Sequence, residues 1–142
     1  MKSTPTAAPR SSVTSVVLDA SALLAVMNSE PGADIVRASL VGALISAVNY
    51  SEVMKKTIER SVAVDTLYAL VKSASLDIVP FDTALAEASA ELFPITKAHG
   101  MSFADRACLA LGIQRKLLVL TSERKMRIST LPVKVKLIRN AH

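Results

Sequence analysis

The sequence predicts a three-layer α/β/α domain built on a mainly parallel sheet of five strands. Short apolar runs alternate with helical patterns along the chain, which is typical of an α/β domain. The first run, residues 16–18, has no polar residue alternating with its apolar ones, as expected of a strand buried on both faces. The chain has 142 residues, 51% of them hydrophobic, which suffices for one domain with a proper core. We expect that domain at residues 15–142, after a flexible tail at 1–14 that is rich in Ser, Thr and Pro.

Each further strand is a short apolar run that ends at a polar residue or a proline. These strands are predicted at residues 43–46, 76–80, 117–120 and 133–138. Pro80 closes the run at 76–80. Lys134 and Lys136 alternate with apolar residues in the last run, which indicates an edge strand with one wet face.

Helices are predicted where apolar residues recur with helical spacing. They are expected at about residues 20–27, 33–40, 49–60, 61–74, 83–93 and 102–114. The polar stretch 28–32, which contains Pro31 and Gly32, breaks the first helix. Asp82 and Ser102 are expected to cap the last two helices at their amino ends. Residues 94–100 read as a loop, and a short polar turn or helix follows Glu123.

Charge and composition favour some partners and exclude others. The net charge of +5 is uneven, since residues 1–114 carry −2 and residues 115–142 carry +7, which is typical of a protein with a polyanionic partner. Aromatic residues are scarce, so a base-stacking platform is not evident. No stretch approaches the ~20 apolar residues of a membrane span, and the amino end lacks the apolar core of a signal peptide. The single Cys108 fits a reducing compartment, so we expect a cytoplasmic protein without membrane contact.

Four carboxylates fall at equivalent joints of the predicted fold. Asp19, Glu52 and Glu123 follow the first, second and fourth strands, whose carboxyl ends share one edge of a parallel sheet. Asp105, near the start of the helix before the fourth strand, can reach the same crevice. Uncompensated carboxylates would repel one another, whereas bound Mg²⁺ or Mn²⁺ would stabilise them. Such ions activate water and stabilise a leaving oxygen, so the predicted reaction is hydrolysis of a phosphodiester.

Nearby polar residues are expected to support this site. Ser21, Asn49 and Thr121 lie one helical turn or less from an acid, where they can orient carboxylates or serve as ordinary caps. Basic residues around the fourth strand are candidates for holding the phosphates of a polyanionic partner: Arg106, Arg115, Lys116, Arg124, Lys125 and Arg127. The simplest alternative for Asp19 is a helix N-cap. Glycine-rich phosphate loops follow none of the strands, which excludes a dinucleotide fingerprint and a P-loop.

The acids lie in four ordered motifs that resemble those of PIN-domain ribonucleases, most closely the VapC type, the toxin half of bacterial toxin–antitoxin pairs. The motifs read Val-Val-Leu-Asp19-Ala-Ser21, Asn49-Tyr-Ser-Glu52, Ser-Phe-Ala-Asp105 and Thr121-Ser-Glu123. The resemblance covers residues 15–139. The fourth motif usually has Asp, and Glu123 adds a methylene that moves its oxygens by more than ~1 Å, which matters where site geometry must hold to about half an ångström.

The resemblance implies a metal-dependent endoribonuclease that cuts structured RNA such as tRNA or rRNA. It further implies a cognate antitoxin protein and a homodimer, formed through helical faces around residues 50–75 and 83–93. Asp19, Glu52, Asp105 and, with the substitution, Glu123 take the places of the metal-binding acids. A PIN-type module that binds RNA or a partner without turnover is the alternative. A receiver-like phosphoacceptor domain using Asp82, Thr121 and Lys136 ranks last, because it leaves Glu52 and Asp105 unexplained.

Overall fold

The computed structural model describes residues 15–139, so the predicted tail at 1–14 lies outside the described residues. Five short strands form one sheet, with all neighbouring strands parallel. The strands are β1 (Val16–Leu18), β2 (Leu44–Ser46), β3 (Asp77–Val79), β4 (Leu118–Thr121) and β5 (Val135–Leu137). The three-layer α/β/α prediction is confirmed, and the sheet is wholly parallel rather than mainly so.

The spatial order of the strands is β3-β2-β1-β4-β5, so the chain builds outward from β1 and then crosses to its other side. In such sheets a crevice opens at the carboxyl ends of the two strands where the direction reverses, here β1 and β4. The register pairs Leu18 with Leu120 on β4 and with Ile45 on β2. The next residue, Asp19, therefore lies between the ends of β2 and β4.

Seven α-helices cover the two faces of the sheet in the described part of the chain. They are α1 (Ala20–Met27), α2 (Ala33–Arg37), α3 (Ala47–Glu59), α4 (Val64–Ser73), α5 (Thr83–Glu91), α6 (Phe93–Thr96) and α7 (Phe103–Arg115). Short 3₁₀ turns follow α6 and β4, at Lys97–His99 and Arg124–Met126. Within residues 15–139 no helix is both long and apolar enough to cross a membrane.

Alternating strand residues build two hydrophobic cores, one on each face. Val16 and Leu18 pack with α1 to α4, whereas Val17 packs with α5 and α7. This pattern confirms that β1 is buried on both faces, as its unbroken apolar run predicted. Gly112 lets α7 approach the sheet closely, because a Cβ there would lie 2.6 Å from the side chain of Val119.

Several elements are shorter than expected, as in the helices expected at 33–40 and 61–74, which span Ala33–Arg37 and Val64–Ser73. Two further boundaries differ for a clear local reason. Residues 93–99 are helical rather than a loop, because Pro94 stands in the first turn of α6, where its missing N–H costs nothing. Helix α3 begins at Ala47 rather than at residue 49, since the Ser46 side chain accepts the Val48 N–H and caps it. Asn49 is therefore inside the helix and is not its cap.

Candidate active site

A cleft of about 250 Å³ lies at the carboxyl edge of the sheet, where β1 and β4 diverge. All four predicted acids line it, although they come from four separate elements of the chain. The lining residues are Asp19, Ala20, Ser21, Leu24, Asn49, Glu52, Lys56, Ser102, Asp105, Glu123 and Lys125. The fold therefore brings together acids that are up to 104 positions apart in the sequence.

Asp19 is the most buried acid of the cleft, with 4% of its surface exposed. Its Oδ1 accepts hydrogen bonds from the Ser21 hydroxyl at 2.7 Å and from the Ala22 N–H at 2.9 Å, and its Oδ2 accepts one from the Thr121 hydroxyl. Burial raises the pKa of Asp19 to about 6, against the lowering effect of these three bonds. The alternative of a helix N-cap is confirmed, and the same capping carboxylate faces the cleft.

The hydroxyls of Ser21 and Thr121 tie Asp19 to the chain that leaves β4. Ser21 Oγ accepts the Ser122 N–H at 2.9 Å, and Thr121 Oγ1 accepts the Glu123 N–H at 3.0 Å. Each hydroxyl therefore donates to Asp19 and accepts a backbone N–H, which is that of Ser122 for Ser21 and that of Glu123 for Thr121. This arrangement fixes the orientation of the Asp19 carboxylate relative to the start of the loop that carries Glu123.

Glu52 reaches the cleft from α3 with Asn49 beside it, one turn earlier. The Asn49 amide nitrogen donates to Glu52 Oε1 at 3.3 Å and to the Ala104 carbonyl at 3.1 Å. Asn49 is 1% exposed, and among the described residues its Oδ1 has no hydrogen-bond partner. Burial raises the pKa of Glu52; the bond from Asn49 opposes this shift, and the charges of Asp105 and Glu123 add to it.

Asp105 belongs to a capping box at the start of α7. Its N–H donates to the Ser102 hydroxyl at 3.1 Å, and its own Oδ2 accepts the Ser102 N–H at 2.9 Å. The cap fixes the carboxylate at the mouth of the cleft. The predicted cap at Ser102 therefore positions one of the predicted site residues.

Lys125 inserts a cation between two of the acids. Its Nζ lies 3.1 Å from Asp105 Oδ2 and 3.4 Å from Glu123 Oε1, and 3.5 Å from the Gly100 carbonyl oxygen. The hydrogen bond to Asp105 is the main reason why the pKa of Lys125 is raised. The sequence indicated Lys125 only as one of several phosphate-binding candidates.

The chemistry of the lining suits a hard divalent cation. The donor atoms are carboxylate oxygens, and Mg²⁺ and Mn²⁺ prefer oxygen ligands of this kind. The ammonium of Lys125 shows that the cleft already stabilises a positive charge. In the arrangement seen across residues 15–139, however, no three acidic, His or Cys side chains converge on a common point suited to a metal.

The predicted phosphate-binding cations are more dispersed than expected, since only Lys125 of the six lines the cleft. Arg106 lies with its guanidinium 5.4 Å from the ring centre of Phe93, because a residue next to Asp105 is turned about 100° around the helix. Arg115 and Lys116 stand at the far end of α7, about 15 Å along the helix from Asp105. Arg124 and Arg127 line a neighbouring groove beside β5.

Lys56 lines the cleft although sequence reasoning missed it. A signal was available, because Lys56 follows Glu52 by four residues on the same helix and so shares its face. The buried Cys108 lies within range of Asp19, Asp105 and Glu52, whose charges add to the effect of burial and raise the pKa of its thiol. A thiol so buried is structural, as the sequence indicated.

Comparison with known proteins agrees with the resemblance seen in the motifs. The family model for the PIN domain matches residues 16–128, which is most of the chain. No curated protein sequence matches the chain significantly.

Several solved structures share the fold. One chain of a toxin–antitoxin complex from Klebsiella pneumoniae has a TM-score of 0.72 at 20% identity, over 89% of this chain and 100% of that one. A chain of DNA-bound VapBC from Salmonella typhimurium has a TM-score of 0.67 at 16% identity, over 89% and 99%. A chain of VapBC-5 from Mycobacterium tuberculosis has a TM-score of 0.57 at 20% identity, over 89% and 99%. The predicted resemblance is thus confirmed, and the chain belongs to the PIN-domain family.

Proposed function

We propose that this protein is an endoribonuclease that hydrolyses RNA phosphodiester bonds with the aid of Mg²⁺ or Mn²⁺. The observation that carries the proposal is the convergence of four acids from four elements on one cleft at the point where the strand order reverses. Membership of the PIN family supports a nucleic-acid-cleaving activity. Residues 15–142 would form the nuclease domain.

The roles proposed for the residues follow from their contacts. Asp19, Glu52, Asp105 and Glu123 would hold the metal, with Glu52 reaching the cleft from α3. Ser21 and Thr121 would orient Asp19, and Asn49 would orient Glu52, through the hydrogen bonds described above. When bound, the divalent ion supplies Lewis-acid stabilisation of the negative charge that develops on the phosphate oxygens.

An RNA substrate agrees with the charge distribution of the chain. The excess of +7 in residues 115–142 would attract phosphates, and Arg124 and Arg127 line a groove beside β5. Arg106, Arg115 and Lys116 lie farther from the cleft, where they would contribute to long-range attraction more than to positioning.

The protein would be the VapC-type toxin of a toxin–antitoxin pair in the cytoplasm. The shared fold with chains of toxin–antitoxin complexes supports a cognate antitoxin as a partner. A homodimer is proposed as well, because the helical faces expected to pair carry exposed large apolar side chains. These are Ile58, Val62 and Tyr68 in the region of α3 and α4, and Phe93 at the start of α6.

Cleavage of total bacterial RNA by the purified protein tests the proposal. Discrete fragments are expected with Mg²⁺ or Mn²⁺ and none with EDTA. The Asp105→Asn variant should not cleave, although its side chain can still accept the Ser102 N–H and preserve the cap. Asp77→Asn, an exposed change on β3 away from the cleft, is the matched control and should cleave like the wild type. Cleavage by Asp105→Asn at the wild-type rate would contradict the site assignment.

One observation favours a second candidate, a PIN-type module that binds RNA or a partner without turnover. Lys125 forms ion pairs with Asp105 and Glu123, which are two of the proposed metal ligands. Glu123→Asp separates the two candidates in the same assay. Absence of cleavage by both the wild type and this variant would support the binding module, whereas cleavage gained by the variant would indicate a nuclease weakened at its fourth motif.

A further inference from the structure

Lys125 is held in the cleft by more than one contact. The 3₁₀ turn Arg124–Met126 is anchored by Met126, which is fully buried in the core under α7. The residue before this anchor, Lys125, turns its ammonium between Asp105 and Glu123 and also toward the Gly100 carbonyl. The backbone thus directs this lysine to the acids, and its position does not depend on the side chain alone.

The oxygens that Lys125 contacts are those that a metal ion would need. Asp105 Oδ2 already accepts hydrogen bonds from the Ser102 N–H and from Lys125 Nζ. A divalent ion bound at Asp105 and Glu123 would meet a positive charge about 3 Å from the same oxygens, and like charges so close repel strongly. Lys125 and the metal are therefore mutually exclusive at this pair of acids.

We propose that Lys125 is a tethered cation that competes with the divalent metal for Asp105 and Glu123 and leaves the acids when the metal binds. The inference rests on the proposed metal-dependent function. In the metal-free protein the lysine keeps the two carboxylates paired. Metal binding breaks these ion pairs, so the protein requires a higher concentration of free metal than the same acids would without the lysine.

Lys56 provides a control within the same cleft. It lines the cleft as Lys125 does, yet among the described residues it forms no ion pair with any acid. Removal of its charge changes the general potential of the cleft and leaves the Asp105 and Glu123 oxygens as they are. A difference between the two lysines therefore separates direct competition from long-range electrostatics.

The first test is the dissociation constant for Mn²⁺, measured by titration calorimetry or by the EPR signal of free Mn²⁺. Lys125→Met should bind Mn²⁺ on the order of tenfold more tightly than the wild type, since the competing charge is gone and the chain length is kept. Lys56→Met should change the constant by less than about threefold. Unchanged or weaker Mn²⁺ binding by Lys125→Met, or an equal increase of Mn²⁺ affinity in both variants, would overturn the proposal that Lys125 competes with the metal.

A second test uses the wild-type protein and needs no variant to fold. The rate at which an amine-acylating reagent labels Lys125 is followed by mass spectrometry with and without Mg²⁺, with Lys56 as the internal reference. Labelling of Lys125 should rise severalfold with Mg²⁺ relative to Lys56, and a constant ratio would refute the displacement. If the wild type bound no Mn²⁺ at all, the metal-dependent function itself would fail, which is a different outcome from binding that Lys125→Met leaves unchanged.

Discussion

The two walls of the cleft hold their carboxylates by different means. On the buried wall, Asp19 accepts three hydrogen bonds from neutral donors, so its charge is oriented and remains uncompensated. On the outer wall, Asp105 and Glu123 are both paired with Lys125, so one of their two negative charges is compensated. The buried wall is therefore prepared for a cation, whereas the outer wall already has one.

This difference between the two walls predicts which substitutions in the cleft will strongly affect stability or cleavage. Neutral hydrogen bonds to a buried group are costly to remove, since the group then lies in a low-dielectric site without partners. Ion pairs with partly exposed side chains contribute much less, because water screens them and replaces the lost partner. We expect the buried wall to dominate stability, and both walls to matter for cleavage.

The largest expected effect is on cleavage by Asp19→Asn. Asn keeps the shape of the side chain and removes the charge that would hold the metal, so the rate of RNA cleavage should fall at least ~100-fold. The rate is measured with the same RNA and Mg²⁺ as for the wild type, with Asp77→Asn beside it. A rate within a few-fold of the wild type would mean that the buried wall is structural only.

The next effect is on the pH dependence of stability in the metal-free protein. The pKa of Asp19 is raised from 3.8 to about 6, so the folded state binds this proton more tightly than the unfolded state does. The resulting stability is present below pH 4 and is lost as the pH rises through 6. The loss is at most about 3 kcal/mol of unfolding free energy. Asp19→Asn should lack this loss, as urea unfolding at pH 4 and pH 7 with EDTA will reveal.

Thr121→Val should lower the free energy of unfolding by about 1–3 kcal/mol, because it leaves a buried Asp19 oxygen and the Glu123 N–H without a partner. Thr121→Ser keeps the hydroxyl and is the control for this change. The two midpoints of urea unfolding are compared at pH 7. Equal losses in both variants would mean that the loss in Thr121→Val cannot be assigned to the hydroxyl, and the comparison of the walls would be weakened.

The smallest effect is expected on the outer wall. Glu123→Gln removes one partner of Lys125, but 43% of the Glu123 side chain is exposed, so the free energy of unfolding should change by less than about 1 kcal/mol. Urea unfolding without metal measures this change. A loss as large as that of Thr121→Val would show that the two walls do not differ as proposed.

The acids of both walls could be predicted from the sequence because they follow local rules. Asp19 of the buried wall ends an unbroken apolar run, and Asp105 of the outer wall follows Ser102 with the spacing of a capping box, so these strand ends and helix starts were predictable. The parallel sheet then brings the strand ends to one edge. The fold and the gathering of the four acids around one cleft followed from these local signals.

The position of Lys125 was not predictable in this way. Its direction depends on the burial of Met126, which is a long-range contact with the core beneath α7. The expectation that Arg106 lies at the cleft was not met for a simpler reason. Consecutive residues on a helix point in different directions, so the side chain next to Asp105 in sequence does not lie next to it in space. Charge counts located a basic region, but they did not say which of its cations enter the cleft.

The close approach at Gly112 has a consequence for the site at the other end of the same helix. Gly112 and Asp105 lie two turns apart on α7, about 10 Å, and a helix of this length moves nearly as a rigid rod. A methyl group at position 112 would clash with Val119 and tilt α7, and the tilt would displace Asp105. The absence of a side chain at Gly112 thus helps to set the position of Asp105 in the cleft. The geometry of the site therefore depends on how closely α7 packs against the sheet.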